Sequence, residues 1–315
     1  MSTQVLAWPE IEKKLVGLDV VGSMESAFDA FSQGLAVIPP VGELVFDEPP
    51  GDVHIKYGCL KQGTHYVVKI ASGFYNNPKL GLASCQGMML LFDQKTGVPA
   101  AVLLDEGKLT DIRTGAAGGA VAKHLAPKDV QAIGVLGAGI QARMQLTYLL
   151  DVTPCRKVLI WNRSESNGQS LLKDLEAMGY EPEVVASPQE VAAGANLIVT
   201  TTPSREPLLQ ADWIRPGTHI TAVGSDTAEK QELDPQILKG AVVVSDSLSQ
   251  SESRGEVYRA VEAGALNRTH VVELGDVIGG RAEGRTSFDA ITVADLTGVA
   301  VQDLAIATAV IAASN

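Results

Sequence analysis

The chain has 315 residues, 45% apolar and 20% charged, enough for one large domain or two ordinary ones with a full core. Its formal net charge of −12 argues against a nucleic-acid partner, which needs a basic footprint, but an anionic small ligand needs only a few local cations. The N-terminus shows no signal-peptide pattern and no uncharged apolar stretch is long enough for a bilayer. The three widely spaced cysteines (Cys59, Cys85, Cys155) form neither a metal motif nor a disulfide framework, so a cytoplasmic protein with no membrane anchor and no metal is expected.

In chain order, two amphipathic helices are predicted at about 8–18 and 24–34, followed by extended segments "VHIKYGCL", "HYVVKIAS", "GMMLLFD" and "AAVLLDE". The strand period puts His54 and Lys56 on one face, opposite Val53, Ile55 and Tyr57. In the next strand Lys69 shares a face with Val67 and Ala71, which places it either on an exposed sheet face or in a site. The link "TDIRTGAAGGAVAKHLA" reads as a helix rich in small residues, expected to permit close packing between the halves, with Arg113 near its start. Two or three of these cations converging on one face would bind a carboxylate, arginine bidentately.

From about residue 130 short apolar runs alternate with helical segments, the mark of a doubly wound parallel sheet of Rossmann type. At its head, Gly137-Ala138-Gly139-Ile140-Gln141-Ala142 fits G-x-G-x-x-A between a strand and a helix. The first glycine permits the tight turn, the second lets backbone approach a pyrophosphate, and the small Ala142 lets helix pack on strand. The helix N-terminus offers the phosphates unpaired N–H groups and the positive dipole end. The next strand ends in Asn162, Arg163 and Ser164, where an NAD-type carboxylate would stand. An arginine there favours NADP(H), with NAD(H) possible if Asn162 serves the ribose of either cofactor. Further on, Thr201, Thr202 and Pro203 end one strand, and Val223 and Ser225 lead into Asp226 at the end of another. In open α/β sheets these ends face the ligand crevice, so the former line the nicotinamide pocket and Asp226 either handles a proton or caps a turn. The Ala-rich tail from 292 is read as helical, outside the strand–helix rhythm.

Together, "VVKIASGFYNNPKLGL", "GMMLLFDQKTGVPAAVLLDEGKLTDIRTGAAGGAVAKHLA", "IGVLGAGIQA", "VLIWNRS", "AVGSDTAEKQELDP" and "ELGDVIGGR" resemble the ornithine cyclodeaminase/mu-crystallin family, in the family's order, over roughly residues 53–310. The resemblance implies a homodimer and two domains. A Rossmann NAD(P)-binding domain (116–291) would be inserted into an α+β substrate/dimerisation domain built from residues 1–115 and the C-terminal helix within 292–315. It also implies that Lys69 contacts the substrate carboxylate and assists proton movement, that Arg113 binds that carboxylate, and that Asp226 engages the amine or imine and a catalytic water.

One departure bears on the substrate. Ornithine-acting members carry an arginine after a proline pair, whereas this chain has Val41-Gly42 there, with Lys56 or His54 as the candidate replacement charge. The leading expectation is an NAD(P)H-dependent reductase or dehydrogenase of a small amino or imino acid, transferring a hydride at the α-carbon. The alternatives are a cyclodeaminase that recycles its NAD+ within one turnover and a non-catalytic NADPH-dependent binder of mu-crystallin type. His54, Lys56, Tyr57 and the loop from Phe74 to Asn77 are candidates for shaping the side-chain pocket.

Overall fold

The computed structural model describes residues 3–74 and 76–313, so Tyr75 of the candidate loop and the extreme ends of the expected domains lie outside the described residues. The chain divides into two compact units, one of Met1–Arg113 with Val299–Asn315 and one of Thr114–Gly298.

The first unit runs through β1 (Gln4–Ala7), α1 (Trp8–Leu15), α2 (Val20–Ser32), β2 (Ala36–Val37), β3 (Gly42–Phe46), β4 (Gly51–Leu60), β5 (His65–Phe74), β6 (Cys85–Asp93) and β7 (Pro99–Leu104). Helix α3 (Lys108–Leu125) follows, carrying Arg113, the last residue of this part of the unit. The second unit continues with β8 (Ile133–Leu136), α4 (Ile140–Leu149), β9 (Lys157–Trp161), α5 (Glu165–Ala177), β10 (Glu181–Val184), α6 (Pro188–Gly194), β11 (Leu197–Thr200), β12 (His219–Ala222) and β13 (Val242–Ser245). It closes with α7 (Gly255–Glu262), β14 (Val271–Glu273), α8 (Leu274–Ile278) and β15 (Thr292–Asp295); α9 (Ala300–Ala312) returns to the first unit.

The first sheet has the order β1-β7-β6-β5-β4-β2, with β3 also paired to β4. Strands β4 to β7 are antiparallel neighbours, and β1 joins β7 in parallel. Period-two alternation separates its faces. Val67, Lys69, Met89, Leu91, Ala101 and Leu103 are buried on one face, while Val68, Ile70, Met88, Leu90 and Val102 are only half-buried on the other. Helix α9 packs on α2 and on β4, β5 and β6. Asp19 begins α2 by accepting a hydrogen bond from the Gly22 backbone N–H at 2.8 Å.

The second sheet has the order β10-β9-β8-β11-β12-β15-β13-β14, with every pairing parallel. Helices alternate with its strands, as in a Rossmann domain, and β8 sits at the switch point where the strand order reverses. Residues 292–295, expected within the helical tail of the first domain, instead form β15, inserted between β12 and β13. The run Thr292-Val293-Ala294 is β-competent and fully buried, and Gly298 at φ 79° separates it from the helix that follows. In α3, Ala116, Ala117 and Ala120 are buried, and Gly115 lies against Met144 and Tyr148.

Candidate active site

In the first unit three charged side chains are buried together. Lys69 Nζ lies 3.4 Å from Asp303 Oδ2, and Arg113 Nε lies 3.0 Å from Asp303 Oδ1, with the carboxylate wholly buried. Strand β5 supplies the lysine, the start of α3 the arginine, and the first turn of α9 the acid. Gln302, next to Asp303, accepts a hydrogen bond from Arg113 Nη1 at 3.1 Å and one from the Val299 backbone N–H at 2.8 Å, fixing the arginine to the head of α9. Arg113 Nε and both Asp303 oxygens are at ion-pair distance yet make no hydrogen bond among the described residues. Buried polar atoms with spare bonding capacity mark a place where a ligand or water completes the network. Burial lowers the Lys69 ammonium to about 8; the Asp303 charge opposes that fall and the Arg113 charge adds to it. Asp105, pushed up by burial, accepts a hydrogen bond from the Leu109 backbone N–H at 2.9 Å and adds negative charge near Lys69.

Lys56 stands directly across the β4–β5 ladder from Lys69, on the same face, and is almost fully buried. His54 is one step further along that face, with its ring nitrogens 3.5 Å from Glu43 Oε1 and 3.5 Å from Asp52 Oδ1. Tyr57 belongs to the opposite face, paired with Val68, so of the three β4 pocket candidates only His54 and Lys56 share a face with Lys69. Asp303 and Gln302 escaped the sequence reading. Their signal is a Gln-Asp pair in the otherwise apolar helix "AVQDLAIATAVIA".

In the second unit, Gly137-Ala138-Gly139 connects β8 to α4. Gly137 has φ 109°, the left-handed side that an L side chain avoids, and an added Cβ would crowd Thr201 Oγ1 at 2.6 Å. Gly139 is the N-cap of α4 with no side-chain cap, and an added Cβ there would have no heavy atom within 4 Å. That open space at the N-terminus of α4 fits a dinucleotide pyrophosphate. Ile140 is 45% exposed at the mouth of the helix, Gln141 is half-buried, and Ala142 is wholly buried against the sheet. Arg143, also unforeseen, donates to the carbonyls of Ala138 at 2.7 Å and Gly139 at 3.1 Å and pairs with Asp174, bracing the turn. At the tip of β9, Asn162 Nδ2 donates to the Ser164 carbonyl at 2.8 Å, and Arg163 is exposed.

Thr201 Oγ1 donates to the Leu136 carbonyl at 3.1 Å, tying the segment after β11 to the end of β8; Thr202 is half-buried and Pro203 exposed. Beyond β12, Val223 and Ser225 are buried, and Asp226 Oδ1 lies 2.6 Å from Lys230 Nζ. Each unit thus assembles its own predicted residues: Lys56, Lys69 and Arg113 in the first, and the glycine turn, the β9 tip and Asp226 in the second.

The chain resembles several characterised proteins over nearly its whole length. An archaeal alanine dehydrogenase, solved as a dimer with bound NAD, superposes with a TM-score of 0.91 at 35% identity, covering 98% of this chain and 95% of the other. The Δ1-pyrroline-2-carboxylate reductase of Thermococcus litoralis, solved with NADH and L-proline, gives a TM-score of 0.91 at 30% identity, covering 98% and 96%. The iminosuccinate reductase of Paracoccus denitrificans is 36% identical over 306 residues, 95% of this chain and 94% of its own. The family model matches residues 1–314. The chain belongs to the ornithine cyclodeaminase/mu-crystallin family.

Proposed function

We propose that the protein is an NAD(P)H-dependent oxidoreductase acting on a small amino or imino acid by hydride transfer at the α-carbon. The observation that carries this reading is the buried Lys69–Asp303–Arg113 cluster, in which two cations share a single carboxylate and leave positive charge in excess. An α-carboxylate is the ligand that such a cation pair fits. Relatives named alanine dehydrogenase, iminosuccinate reductase and Δ1-pyrroline-2-carboxylate reductase support the reaction class.

Lys69 and Arg113 anchor the carboxylate and so fix the orientation of the α-carbon, with Lys56 adding positive charge on the same sheet face and His54 beside it. Asp226, paired with Lys230, takes or gives the proton at the substrate nitrogen. The Gly137–Ala142 turn and α4 N-terminus would hold the pyrophosphate, Asn162, Arg163 and Ser164 the adenosine ribose, and Thr201, Thr202, Pro203, Val223 and Ser225 the nicotinamide end. When bound, the nicotinamide supplies or accepts the hydride. Arg163, exposed where an NAD-type acid would stand, favours the 2′-phosphate of NADP(H), although the solved relatives carry NAD or NADH.

A reductase or dehydrogenase is preferred over a cyclodeaminase because Val41-Gly42 replaces the arginine of ornithine-acting members. The apolar face of the first sheet, half-buried at Ile55, Val68, Ile70, Met88, Leu90 and Val102 and exposed at Tyr57, supports a homodimer. No helix among the described residues is long and apolar enough to cross a membrane, and three free cysteines fit a reducing cytoplasm. The test is loss of reduced-nicotinamide absorbance with NADPH and NADH against a panel of cyclic and linear imino acids, with ornithine plus NAD+ alongside. Stoichiometric oxidation with an imine supports the proposal. Ammonia release from ornithine without net cofactor change would overturn it in favour of the cyclodeaminase.

A further inference from the structure

The carboxylate of Glu232 is wholly buried in the second unit and accepts four hydrogen bonds. Thr200 Oγ1 donates to Oε2 at 2.7 Å and the Gly224 N–H at 2.9 Å; the Thr202 N–H donates to Oε1 at 2.6 Å and Thr202 Oγ1 at 2.7 Å. These donors stand at or just past the C-terminal ends of β11 and β12, two neighbouring parallel strands. One side chain thus pins together the two segments that, in an open parallel sheet, border the ligand crevice.

The approach is close enough to dictate sequence. A Cβ on Gly224 would lie 2.6 Å from Glu232 Oε2 and collide with the Thr202 backbone, so only glycine passes the carboxylate here. Between Gly224 and Glu232 the loop is cross-linked again. Ser225 Oγ donates to the Lys230 carbonyl at 2.7 Å, and Lys230 Nζ meets Asp226 Oδ1 at 2.6 Å. Glu232 is itself held from behind, since its own N–H donates to Glu256 Oε1 at 2.7 Å and its carbonyl accepts from Leu208 N–H at 2.7 Å. Asp226 therefore sits in a nine-residue loop (224–232) whose two ends are clasped by one carboxylate.

We propose that Glu232 is a positioning residue that clasps the segments after β11 and β12 and so presets the Thr202 and Asp226 surface for the dinucleotide and the substrate nitrogen. This rests on the functional reading of Thr202 and Asp226 given above. An amide is a poorer substitute, because each carboxyl oxygen faces one backbone N–H that can only donate, so the NH2 of a glutamine meets a donor at either end.

The experiment compares the full-length protein with Glu232→Gln and with the milder Thr200→Val, which removes a single donor and keeps a β-branched side chain. Hydrogen–deuterium exchange is read over 201–206 and 222–231, and NADH and NADPH dissociation constants are measured by fluorescence titration. Tyr180→Phe serves as a stability control, since the buried Tyr180 hydroxyl donates to the Leu146 carbonyl, in neither clasped segment. Glutamine puts an NH2 group against two of the donors, so Glu232→Gln is expected to speed exchange in both segments and weaken dinucleotide binding about tenfold. Thr200→Val should do so to a smaller extent, and Tyr180→Phe should lower thermal stability while leaving exchange in both segments as in the wild type. Wild-type exchange and affinity in both clasp variants, even with a lowered melting point, would overturn the proposal and reduce Glu232 to a structural tie. A wild-type protein that binds neither NADH nor NADPH would refute the functional reading, while the exchange comparison still decides the clasp.

Discussion

Replacing Asp303 with asparagine removes one charge from the first unit's cluster at almost constant volume. The carboxylate lies 3.4 Å from Lys69 Nζ and 3.0 Å from Arg113 Nε and is wholly buried. Burial has already brought Lys69 down to about 8, with Asp303 opposing the fall and Arg113 deepening it. With a lowered pKa the ammonium is charged below the folded value and neutral above it, so losing Asp303 moves the loss of that charge below pH 8. A carboxylate substrate would then forgo one charge-assisted hydrogen bond, about 1.5–3 kcal/mol, or roughly a 10- to 150-fold rise in KM. Leaving two buried cations without their shared counter-ion also costs about 3–5 kcal/mol of stability in the first unit. The assay is KM for an imino acid across the neutral and mildly alkaline range, followed by loss of reduced-nicotinamide absorbance. Wild-type KM should climb above about pH 8, and the Asp303→Asn curve should climb at lower pH from a higher neutral value. Coincident curves would refute the idea that Asp303 holds Lys69 in its charged form.

Asp226→Asn should nearly abolish turnover while leaving the NADPH dissociation constant unchanged; retained turnover removes Asp226 from the mechanism. Arg163→Ala should raise KM for NADPH about tenfold or more and leave NADH almost untouched, as loss of one phosphate contact requires; equal responses contradict the reading of the β9 tip. In the second unit burial raises Glu232 from 4.5 to about 7 and Asp295 from 3.8 to about 7, and Glu256 well above its usual value. A raised carboxyl pKa means that the folded state holds its proton where the unfolded chain has lost it. These carboxyls make stability fall as pH rises from the ordinary carboxylate range to about 7, by more than buried His219, lowered to about 3, adds on the way to 6.5. Thermal melts over that window should show a descending midpoint, and an ascending one would contradict the burial argument.

The Rossmann unit was readable because its strands are buried on both faces, so "IGVL", "KVLIW", "LIVT" and "VVVS" stand out as continuous apolar runs. Strand β15 was hidden by the Ala-rich sequence it leads into, since four residues beside a helix carry too little periodicity to separate. Short β1 and β3 were missed for a related reason: their pairing with β7 and β4 is a tertiary fact with almost no local signal. For the site, Lys69 stood out as a charge among apolar neighbours and Arg113 as a cation near the start of the link helix. Asp303 escaped notice because its meaning depends on α9 folding back over β5, which no local pattern encodes. Glu232 lies in the polar stretch "AEKQELDP" and looks like any solvated acid until the fold buries it beneath two strand ends.

Isotope tracing follows the hydride to the α-carbon. The purified protein is given an imino acid and nicotinamide cofactor deuterated at the transferring C4 position, and the amino-acid product is analysed by mass spectrometry. One deuterium per product molecule is expected, bonded to the α-carbon, with cofactor oxidised in equal amount. Product without label, or deuterium retained in the cofactor, would contradict hydride transfer to the α-carbon.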